Sequence, residues 1–419
     1  MKVAVIGAGI IGITTAYELA LDGHEVTVFE RRGAAAEETS FANAGLVAPG
    51  YVTPWAAPGM PGKVLSHLFS RHAPVKLALP LSGSELAWMW KWFRACKLET
   101  YLANRARMQR LAFYSRERLH YLTAELELEY DGSPGYTVLL RSEKDSKLVQ
   151  PGLAVLREAG VVFKEIGPDE VLKIEPALNT ETPFLGAVHL PNDEVANCRQ
   201  FALLLKNEAQ RIGVNFEFNT TVARLDPSRP ASIFLAHESA PRNFDRVAMC
   251  AGLASAQLLK PLGLKIPMAA VYGYSISAPI REPLNAPRSA LMDEHYKVAI
   301  SRLGNRVRVA GSAEIGGSLE NKRAASLQTL YKVLHDWFPG AAQLANTGSS
   351  VQEWKGARPM LPDGPPIIGD SGIAGLWLNL GHGSSGWALS CGSARALADL
   401  MAGKNADIDM EGLGVARLA

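Results

Sequence analysis

The chain has no excess of charge of either sign, because its 43 lysines and arginines are balanced by 41 aspartates and glutamates over 419 residues. A protein that binds nucleic acid through phosphates normally carries a basic surplus. The net charge of +2 gives no sign of one. We therefore do not expect nucleic acid as a partner.

Cysteine is also scarce, with four residues spaced far apart at Cys96, Cys198, Cys250 and Cys391. They do not form the spacing that is typical of a metal site. We therefore expect no metal. A reduced, cytoplasmic compartment is the simplest interpretation of this cysteine usage.

Long apolar runs are lacking as well. Residues 3–17 are uncharged, as in a signal peptide, but the run ends at Glu18 and contains three regularly spaced glycines. Those glycines fit a nucleotide-binding turn better than a signal sequence. No other stretch approaches the roughly 18 apolar residues of a spanning helix, so none is expected.

What the chain does have is enough apolar sequence for a core. Apolar residues make up 47% and charged residues 20%, which is typical of compact globular proteins. At 419 residues, two domains are the default expectation.

The N-terminus carries a strand, a turn, a helix and a second strand in close succession. Val3–Ile6 is a short apolar run, and Glu25–Phe29 alternates as a strand and leads directly into Glu30. Between them stand three glycines in G-x-G-x-x-G spacing, Gly7, Gly9 and Gly12. An acid about 20 residues after such a turn completes the dinucleotide-binding pattern.

Each position in this pattern has a physical role. The first glycine allows the tight turn, the second lets the backbone approach a pyrophosphate, and the third lets the helix pack closely. The acid accepts hydrogen bonds from ribose hydroxyls. A glycine-rich turn without a ligand is the alternative, and the pattern alone does not separate NAD from FAD. The predicted contacts are Gly7, Ala8, Gly9, Ile10, Ile11, Gly12, Glu30 and Arg31.

A second phrase carries a resemblance to a known family. It contains Thr39, Ser40, Asn43, Ala44 and Gly45. The phrase resembles a loop of flavin amine oxidoreductases in the D-amino-acid oxidase and glycine oxidase superfamily, where it lies along the pyrophosphate and the flavin. The adjoining stretch Pro49–Gly59 is similar to a narrower group, the small subunits of bacterial D-amino-acid dehydrogenases.

Two C-terminal phrases extend the resemblance. In the superfamily, the arginine of a phrase like Gly356–Gly369 binds the substrate's carboxylate, which implies that role for Arg358. A guanidinium suits a carboxylate because it offers two parallel donors. A salt bridge within the protein is the alternative.

The last phrase is similar to the superfamily's flavin turn, and consists of Gly381, His382, Gly383, Ser384, Ser385, Gly386 and Trp387. Its amides at a helix start would stabilise negative charge on reduced flavin. We expect a structural or flavin-contact role for His382, with a catalytic base as the alternative. The resemblance also implies nucleotide contacts at Val222, Ala251 and Gly252.

These patterns predict an α/β fold with a doubly wound, discontinuous, Rossmann-like FAD-binding domain formed by residues 1–90, 196–266 and 354–419. Residues 91–195 and 267–353 are expected to form an α+β substrate domain on an antiparallel sheet. Residues 293–302 and 306–314 alternate as two adjacent antiparallel strands of that sheet. The helical, charge-rich stretch Arg105 to Glu125 is expected to face solvent.

The resemblance implies an enzyme with non-covalent FAD. It would deaminate D-amino acids oxidatively to 2-oxo acids and ammonia, by hydride transfer from Cα to flavin N5. Electrons would pass to a quinone or another acceptor. Besides Arg358, the candidate substrate contacts are Tyr51, Tyr274 and Tyr296.

Three alternatives remain open from the sequence. The enzyme could use oxygen as an oxidase, or act on secondary amines such as D-proline, hydroxyproline or sarcosine. A flavin-binding electron-transfer subunit without catalytic activity is the non-enzyme alternative.

The stretch Trp88–Phe93 has five large apolar side chains in six positions. It predicts either a buried helix start or a patch for the membrane surface. The second interpretation accords with the resembled dehydrogenases, which pass electrons to the respiratory chain at the inner membrane.

Overall fold

A computed structural model describes residues 1–67, 73–344 and 351–418 of the chain. The helices in this part are α1 Ile10–Leu21, α2 Met60–His67, α3 Gly83–Ala95, α4 Leu98–Glu125, α5 Glu143–Glu158, α6 Pro168–Ile174, α7 Cys198–Arg211, α8 Ala254–Leu259, α9 Ala324–Trp337 and α10 Gly386–Met401. The strands are β1 Lys2–Ile6, β2 Glu25–Phe29, β3 Leu46–Val47, β4 Val75–Leu77, β5 Ser133–Leu140, β6 Lys164–Ile166, β7 Gly186–Val195, β8 Asn215–Glu217, β9 Val222–Leu225, β10 Ser232–Leu235, β11 Arg242–Asn243, β12 Arg246–Met249, β13 Ala269–Pro279, β14 Ala290–Asp293, β15 Val298–Leu303, β16 Arg306–Ile315, β17 Gln352–Met360, β18 Ile367–Asp370 and β19 Leu376–Leu380.

The first sheet has the strand order β18-β19-β12-β1-β2-β8. Its strands are parallel except β18, which runs antiparallel to β19. Strands covered on both faces are apolar throughout, and residues 3–6 of β1 are all buried. Helices α1, α7 and α10 cover one face, while the small sheet β11-β10-β9 and α8 cover the other.

The second sheet is longer and mostly antiparallel, with the order β17-β13-β16-β15-β14-β5-β7-β3 and with β4 beside β16 and β6 beside β7. The predicted antiparallel pairing is confirmed, because β15 and β16 pair with Ala299 opposite Ala310. The predicted bounds of the first strand, 293–302, are wrong, because residues 294–297 form a turn between β14 and β15. Helix α9 packs on one face of this sheet. On the other face, the Ser301 hydroxyl donates to the Ala44 carbonyl, so that face meets the predicted flavin loop.

The predicted domain boundaries stay a prediction. The strands of the first sheet come from the three segments expected to bind FAD. However, β3, β4 and most of β17 also lie within those segments by residue number, and they pair in the second sheet. The chain therefore crosses between the two sheets more often than the sequence indicates.

The expectation that the helix from Arg105 to Glu125 faces solvent is wrong. One face of α4 is buried against α1 and α10 through Leu111, Ala112, Leu119 and Leu122. Packing is so close that a Cβ at Gly392 of α10 would lie 2.8 Å from Ser115 Cα. The apolar positions recur every three or four residues, but the many charges between them hide this period.

A buried ionic network joins the same three helices. The carboxylate of Glu18 on α1, fully buried, accepts hydrogen bonds from Arg118 Nε at 2.7 Å and Arg395 Nη1 at 2.8 Å. Arg395 also pairs with Asp22 and Asp399. Each buried charge therefore has a partner, which buried charges require.

Removing Glu18 should destabilise the protein strongly. Glu18→Ala leaves two arginines without their shared anion, and breaking a buried ion pair costs about 3–5 kcal/mol. Urea unfolding followed by circular dichroism should show a lower midpoint. Glu25→Ala is the control. Glu25 is exposed, and its ion pair with Lys2, at 3.6 Å, is also exposed, so its loss should change stability little. Equal midpoints for the two variants would contradict a stabilising role for the network.

Candidate functional site

The glycine turn of residues 7–12 leaves space where side chains would otherwise be. Gly7 has φ +103, and a Cβ there would lie 2.7 Å from the Cys250 carbonyl oxygen. A Cβ at Gly12 would lie 1.8 Å from the Gly7 carbonyl oxygen. At Gly9 the nearest atom is Ser40 Oγ, at 3.5 Å. Close packing therefore requires Gly7 and Gly12, whereas Gly9 opens onto the space that a ligand would occupy.

The N-terminus of α1 faces this space, and its N-cap residue supplies no side-chain cap. Gly9 is the N-cap, and the first turn contains no acidic residue. One amide, Ile10 N, donates to Ser40 Oγ at 3.0 Å. The first amides of a helix lack intrahelical acceptors and lie at the positive end of its dipole, so this end suits a pyrophosphate.

Glu30 lies at the end of β2, beside the turn. Its carboxylate accepts hydrogen bonds from the amides of Ala8 and Arg32, both at 2.8 Å. Its carbonyl accepts from Thr220 N at 2.8 Å, which brings the segment before Val222 to the same edge. The structure thus assembles the predicted nucleotide end. Arg31 instead pairs with Glu38 at the surface.

The loop of residues 39–45 connects the turn to the second sheet. Thr39 Oγ1 donates to the carbonyl of Ala357 on β17 at 2.7 Å. Ser301 Oγ on β15 donates to the Ala44 carbonyl, also at 2.7 Å. The Gly45 carbonyl accepts from Ala196 N at 2.8 Å. Both ends of the predicted flavin loop are therefore held in place.

Arg358 lies on β17, next to the residue that Thr39 contacts. The side chain is partly buried, and its Nη1 donates to the Ser312 carbonyl at 3.0 Å. Desolvation lowers the pKa of Arg358 to about 10. Among the described residues no carboxylate forms an ion pair with it, so the alternative of an internal salt bridge finds no support there. A partly buried cation that has no ion-pair partner suits an anionic ligand.

The C-terminal turn lies beside the same strand. His382 forms a β-bridge with Met360, two residues from Arg358. Gly381 and Gly383 take positive φ of +78 and +57, and α10 then begins without a side-chain cap at Ser385. The uncapped helix start therefore lies close to the candidate carboxylate site, as the family resemblance implies.

His382 is buried, with its Nε2 3.0 Å from Ser393 Oγ. Burial lowers the pKa of His382 to about 3, which keeps the ring neutral at neutral pH. A base works best with a pKa near the operating pH. This geometry favours the structural or flavin-contact role over the catalytic one, and the role stays a prediction.

Two of the three candidate tyrosines lie on the opposite face of the second sheet from the candidate site. Tyr274 lies on the opposite face of the second sheet, packs against α9 and donates to Glu314 Oε2 at 2.6 Å. Tyr296 also packs on the α9 side, with Arg141 Cζ 5.0 Å from its ring centre.

Tyr51 lies on the face of the sheet that meets the loop. It packs with Leu303 in a buried cluster and donates to Glu294 Oε2 at 2.7 Å. Burial, together with the neighbouring Glu294, raises the pKa of Tyr51 well above its usual range. Tyr51 is thus a neutral donor on the side of the candidate site, and its catalytic role stays a prediction.

Sequence reasoning missed Ser312. Its carbonyl orients Arg358, and it takes a positive φ of +57, which is unusual for a residue other than glycine. A backbone carbonyl carries no side-chain signature, so only the tertiary structure reveals this contact.

The two N-terminal and the two C-terminal phrases, which lie near opposite ends of the sequence, therefore meet in one region. The open glycine turn, the two uncapped helix starts and the loop between them fit FAD, which has a pyrophosphate, a ribose and an anionic reduced ring to be held. The chain belongs to the family of FAD dependent oxidoreductases, whose family model matches residues 2–400. The predicted enzyme class, fold class and cofactor are confirmed by this match.

The chain is also similar to individual members of known enzyme groups. A D-amino acid dehydrogenase of Bradyrhizobium diazoefficiens is 42% identical over 423 residues, covering 100% of this chain and 99% of the relative. The crystal structure of glycine oxidase from Geobacillus kaustophilus has a TM-score of 0.77 at 20% identity, and the match covers 99% of both chains. L-proline dehydrogenase from P. horikoshii has a TM-score of 0.74 at 17% identity, covering 100% of this chain and 97% of that one. The two solved structures support the fold.

Glu30→Ala should weaken FAD retention while leaving the fold intact. Hydrogen bonds to a charged group contribute roughly 1.5–3 kcal/mol, so we expect a tenfold to hundredfold higher dissociation constant. Flavin release during equilibrium dialysis measures it. Glu37→Ala is the matched control, because Glu37 is an exposed carboxylate in the following loop. Equal FAD affinity in both variants would show that Glu30 does not bind the nucleotide.

Proposed function

We propose that this chain oxidatively deaminates D-amino acids to 2-oxo acids and ammonia as an FAD-dependent dehydrogenase. The observation that carries the proposal is Arg358, a partly buried guanidinium without an anionic partner among the described residues, next to the loop and turn that fit the flavin. The name of the 42% identical relative supports the D configuration of the substrate.

The cofactor would be held by residues from four parts of the chain. The amides after Gly9 would bind the pyrophosphate, Glu30 the ribose hydroxyls, and the loop of residues 39–45 and the turn of residues 381–387 the ring. Val222, Ala251 and Gly252 would complete the nucleotide end. When bound, FAD supplies the acceptor for the hydride that leaves the substrate's Cα.

Arg358 would dock the substrate's carboxylate. Its Nη1 already donates to the Ser312 carbonyl, which sets the orientation of the planar fork and leaves other N–H groups for the ligand. Two parallel donors fix the carboxylate's rotation as well as its position. The amine reacts as its free base, and water then hydrolyses the imino acid product. No protein nucleophile is required.

A substrate panel tests the proposal. The holoprotein is mixed anaerobically with D- and L-amino acids, and with D-proline, hydroxyproline and sarcosine, while flavin absorbance is followed. We expect bleaching by primary D-amino acids, with 2-oxo acid and ammonia as products. Faster bleaching by a secondary amine would show that secondary amines, and not primary D-amino acids, are the substrate class. Stoichiometric hydrogen peroxide in air would favour an oxidase, and no bleaching by any amine would favour an electron-transfer subunit.

Changing Arg358 should reduce turnover far more than FAD binding. In Arg358→Lys the charge remains but the fork is lost, so we expect at least a tenfold slower flavin reduction by D-alanine, about 1.4 kcal/mol or more. Arg358→Met should be slower still. Stopped-flow absorbance measures the rate, and FAD retention is measured in parallel.

An amine that lacks a carboxylate provides the control substrate. Its slow reaction should respond little to either substitution, because it offers no group for the guanidinium. If Arg358→Met reduced its flavin with D-alanine as fast as the parent, the carboxylate would have to bind elsewhere. Tyr51 would then be the next residue to change.

We further propose that α3 contacts an anionic membrane surface and that the electron acceptor is a quinone. Within Trp88–Phe93 the structure divides the side chains between two faces. Trp88 and Trp92 are buried, while Trp90 is 62% and Phe93 52% exposed. Basic residues on α3 and just after it, Lys91, Arg94 and Lys97, are exposed beside them. Exposed aromatic side chains flanked by cations suit the lipid headgroup region.

The buried face of α3 is attached near the candidate site. Trp88 Nε1 donates to the Met360 carbonyl at 2.9 Å, at the end of β17. A membrane surface in contact with α3 would therefore lie near β17, the strand that carries Arg358. No helix of the described residues is both long and apolar enough to cross a bilayer, so the proposed contact is peripheral.

Replacing the exposed aromatic pair should weaken membrane binding. Trp90→Ser with Phe93→Ser removes large apolar side chains from the proposed contact, and we expect several-fold less protein to sediment with vesicles that contain phosphatidylglycerol. Flavin reduction by D-alanine should be unchanged. Leu284→Ser is the control, since Leu284 is 84% exposed elsewhere on the chain. Equal sedimentation of both variants would overturn the proposal.

A further inference from the structure

The guanidinium of Arg358 lies directly over Gly273 of the neighbouring strand β13. A Cβ at Gly273 would lie 2.2 Å from Arg358 Nη2, 2.5 Å from its Cζ and 2.9 Å from its Nη1. Gly273 has no positive φ, so the backbone does not require glycine there. What excludes a side chain at this position is the space that the guanidinium occupies.

We propose that Gly273 is a positioning residue for substrate oxidation, which lets Arg358 lie flat across β13 and reach the Ser312 carbonyl on β16. The inference rests on the proposed function, in which Arg358 docks the substrate's carboxylate. A methyl group at Gly273 would force the guanidinium to move by about 1 Å before reaching an ordinary separation of about 3.5 Å.

The guanidinium has little room to move sideways on this face. Gly356, opposite Gly273 in the β13–β17 pair, is covered in the same way, because a Cβ there would lie 1.6 Å from Cη2 of Trp354. The indole of Trp354 in turn stacks on Phe41 at 6.3 Å between ring centres. Two facing glycines thus form a flat floor, and each is covered by one large side chain of β17.

The strands beneath the floor are held together from the other face. The Lys355 ammonium of β17 donates to Glu314 Oε1 of β16 at 3.1 Å, and Tyr274 of β13 donates to Glu314 Oε2 at 2.6 Å. This cluster of Lys355, Glu314 and Tyr274 is buried. The three strands are therefore tied directly behind the guanidinium, and they resist separating to admit a methyl group.

A displacement of Arg358 should affect rate rather than cofactor binding. The guanidinium sets the position of the substrate's Cα, and a misplacement of about 1 Å can cost a hundredfold in rate. The nucleotide contacts at Gly9 and Glu30 lie on the first sheet and its connections. We therefore expect Gly273→Ala to slow flavin reduction at least tenfold at saturating D-alanine, with FAD retained.

The test is a double-mutant cycle in the holoprotein, with Gly273→Ala, Arg358→Met and both together. If Gly273 acts through the guanidinium, Gly273→Ala should not slow flavin reduction any further in a protein that already carries Arg358→Met. The matched control is Ser275→Ala. Ser275 is the next residue on the same face of β13, is 2% exposed, and its hydroxyl has no hydrogen-bond partner within the described residues. That variant should stay within about twofold of the parent.

Each outcome decides the inference. A rate of flavin reduction in Gly273→Ala equal to that of the parent would overturn it. So would an equal fall in rate when Gly273→Ala is introduced into the parent and into Arg358→Met. If Gly273→Ala does not retain FAD, the double variant should regain it, because methionine leaves space for the methyl group; failure to regain FAD also overturns it. A parent-like Arg358→Met would instead show that the proposed carboxylate docking is wrong, and the role of Gly273 falls with it.

Discussion

The loop of residues 39–45, which is expected to lie along the flavin, is attached to β17, the strand that carries Arg358. The attachment is the hydrogen bond from Thr39 to the Ala357 carbonyl. Most of the candidate site depends on this attachment to β17. The C-terminal turn bridges to Met360 on the same strand, and Trp88 of α3 donates to the Met360 carbonyl. One edge strand of the second sheet therefore sets the relative positions of the proposed cofactor loop, the proposed substrate anchor and the proposed membrane helix.

The charges around Glu18 and the charge of Arg358 are organised in opposite ways. Around Glu18 each charge has a partner, and the network fastens α1, α4 and α10 together. Arg358 has a backbone carbonyl and no described carboxylate, and desolvation lowers its pKa to about 10. A carboxylate ligand would supply the missing charge, which is the physical basis of the proposed substrate class.

Local pattern was enough to predict much of the fold and of the nucleotide end of the site. The strand Glu25–Phe29 has the bounds that its alternation predicts. Glu30 lies beside the glycine turn, as its spacing predicts. The buried face of α4 was missed because charged residues separate its apolar positions. Tyr274 could not be assigned a face, because alternation along a strand does not tell which side of the sheet packs against α9.

The sequence by itself determined the first strand, helix and second strand and the turn that is predicted to bind a nucleotide, because these follow from short-range periodicity, backbone freedom and side-chain chemistry. The candidate role of Arg358 came from the family resemblance. Only the tertiary structure decided that Ser312 orients this arginine, that Gly273 lies beneath it and that Trp90 and Phe93 remain exposed. Those contacts join residues that are distant in the chain, and they depend on strand register and helix orientation, which no local pattern specifies.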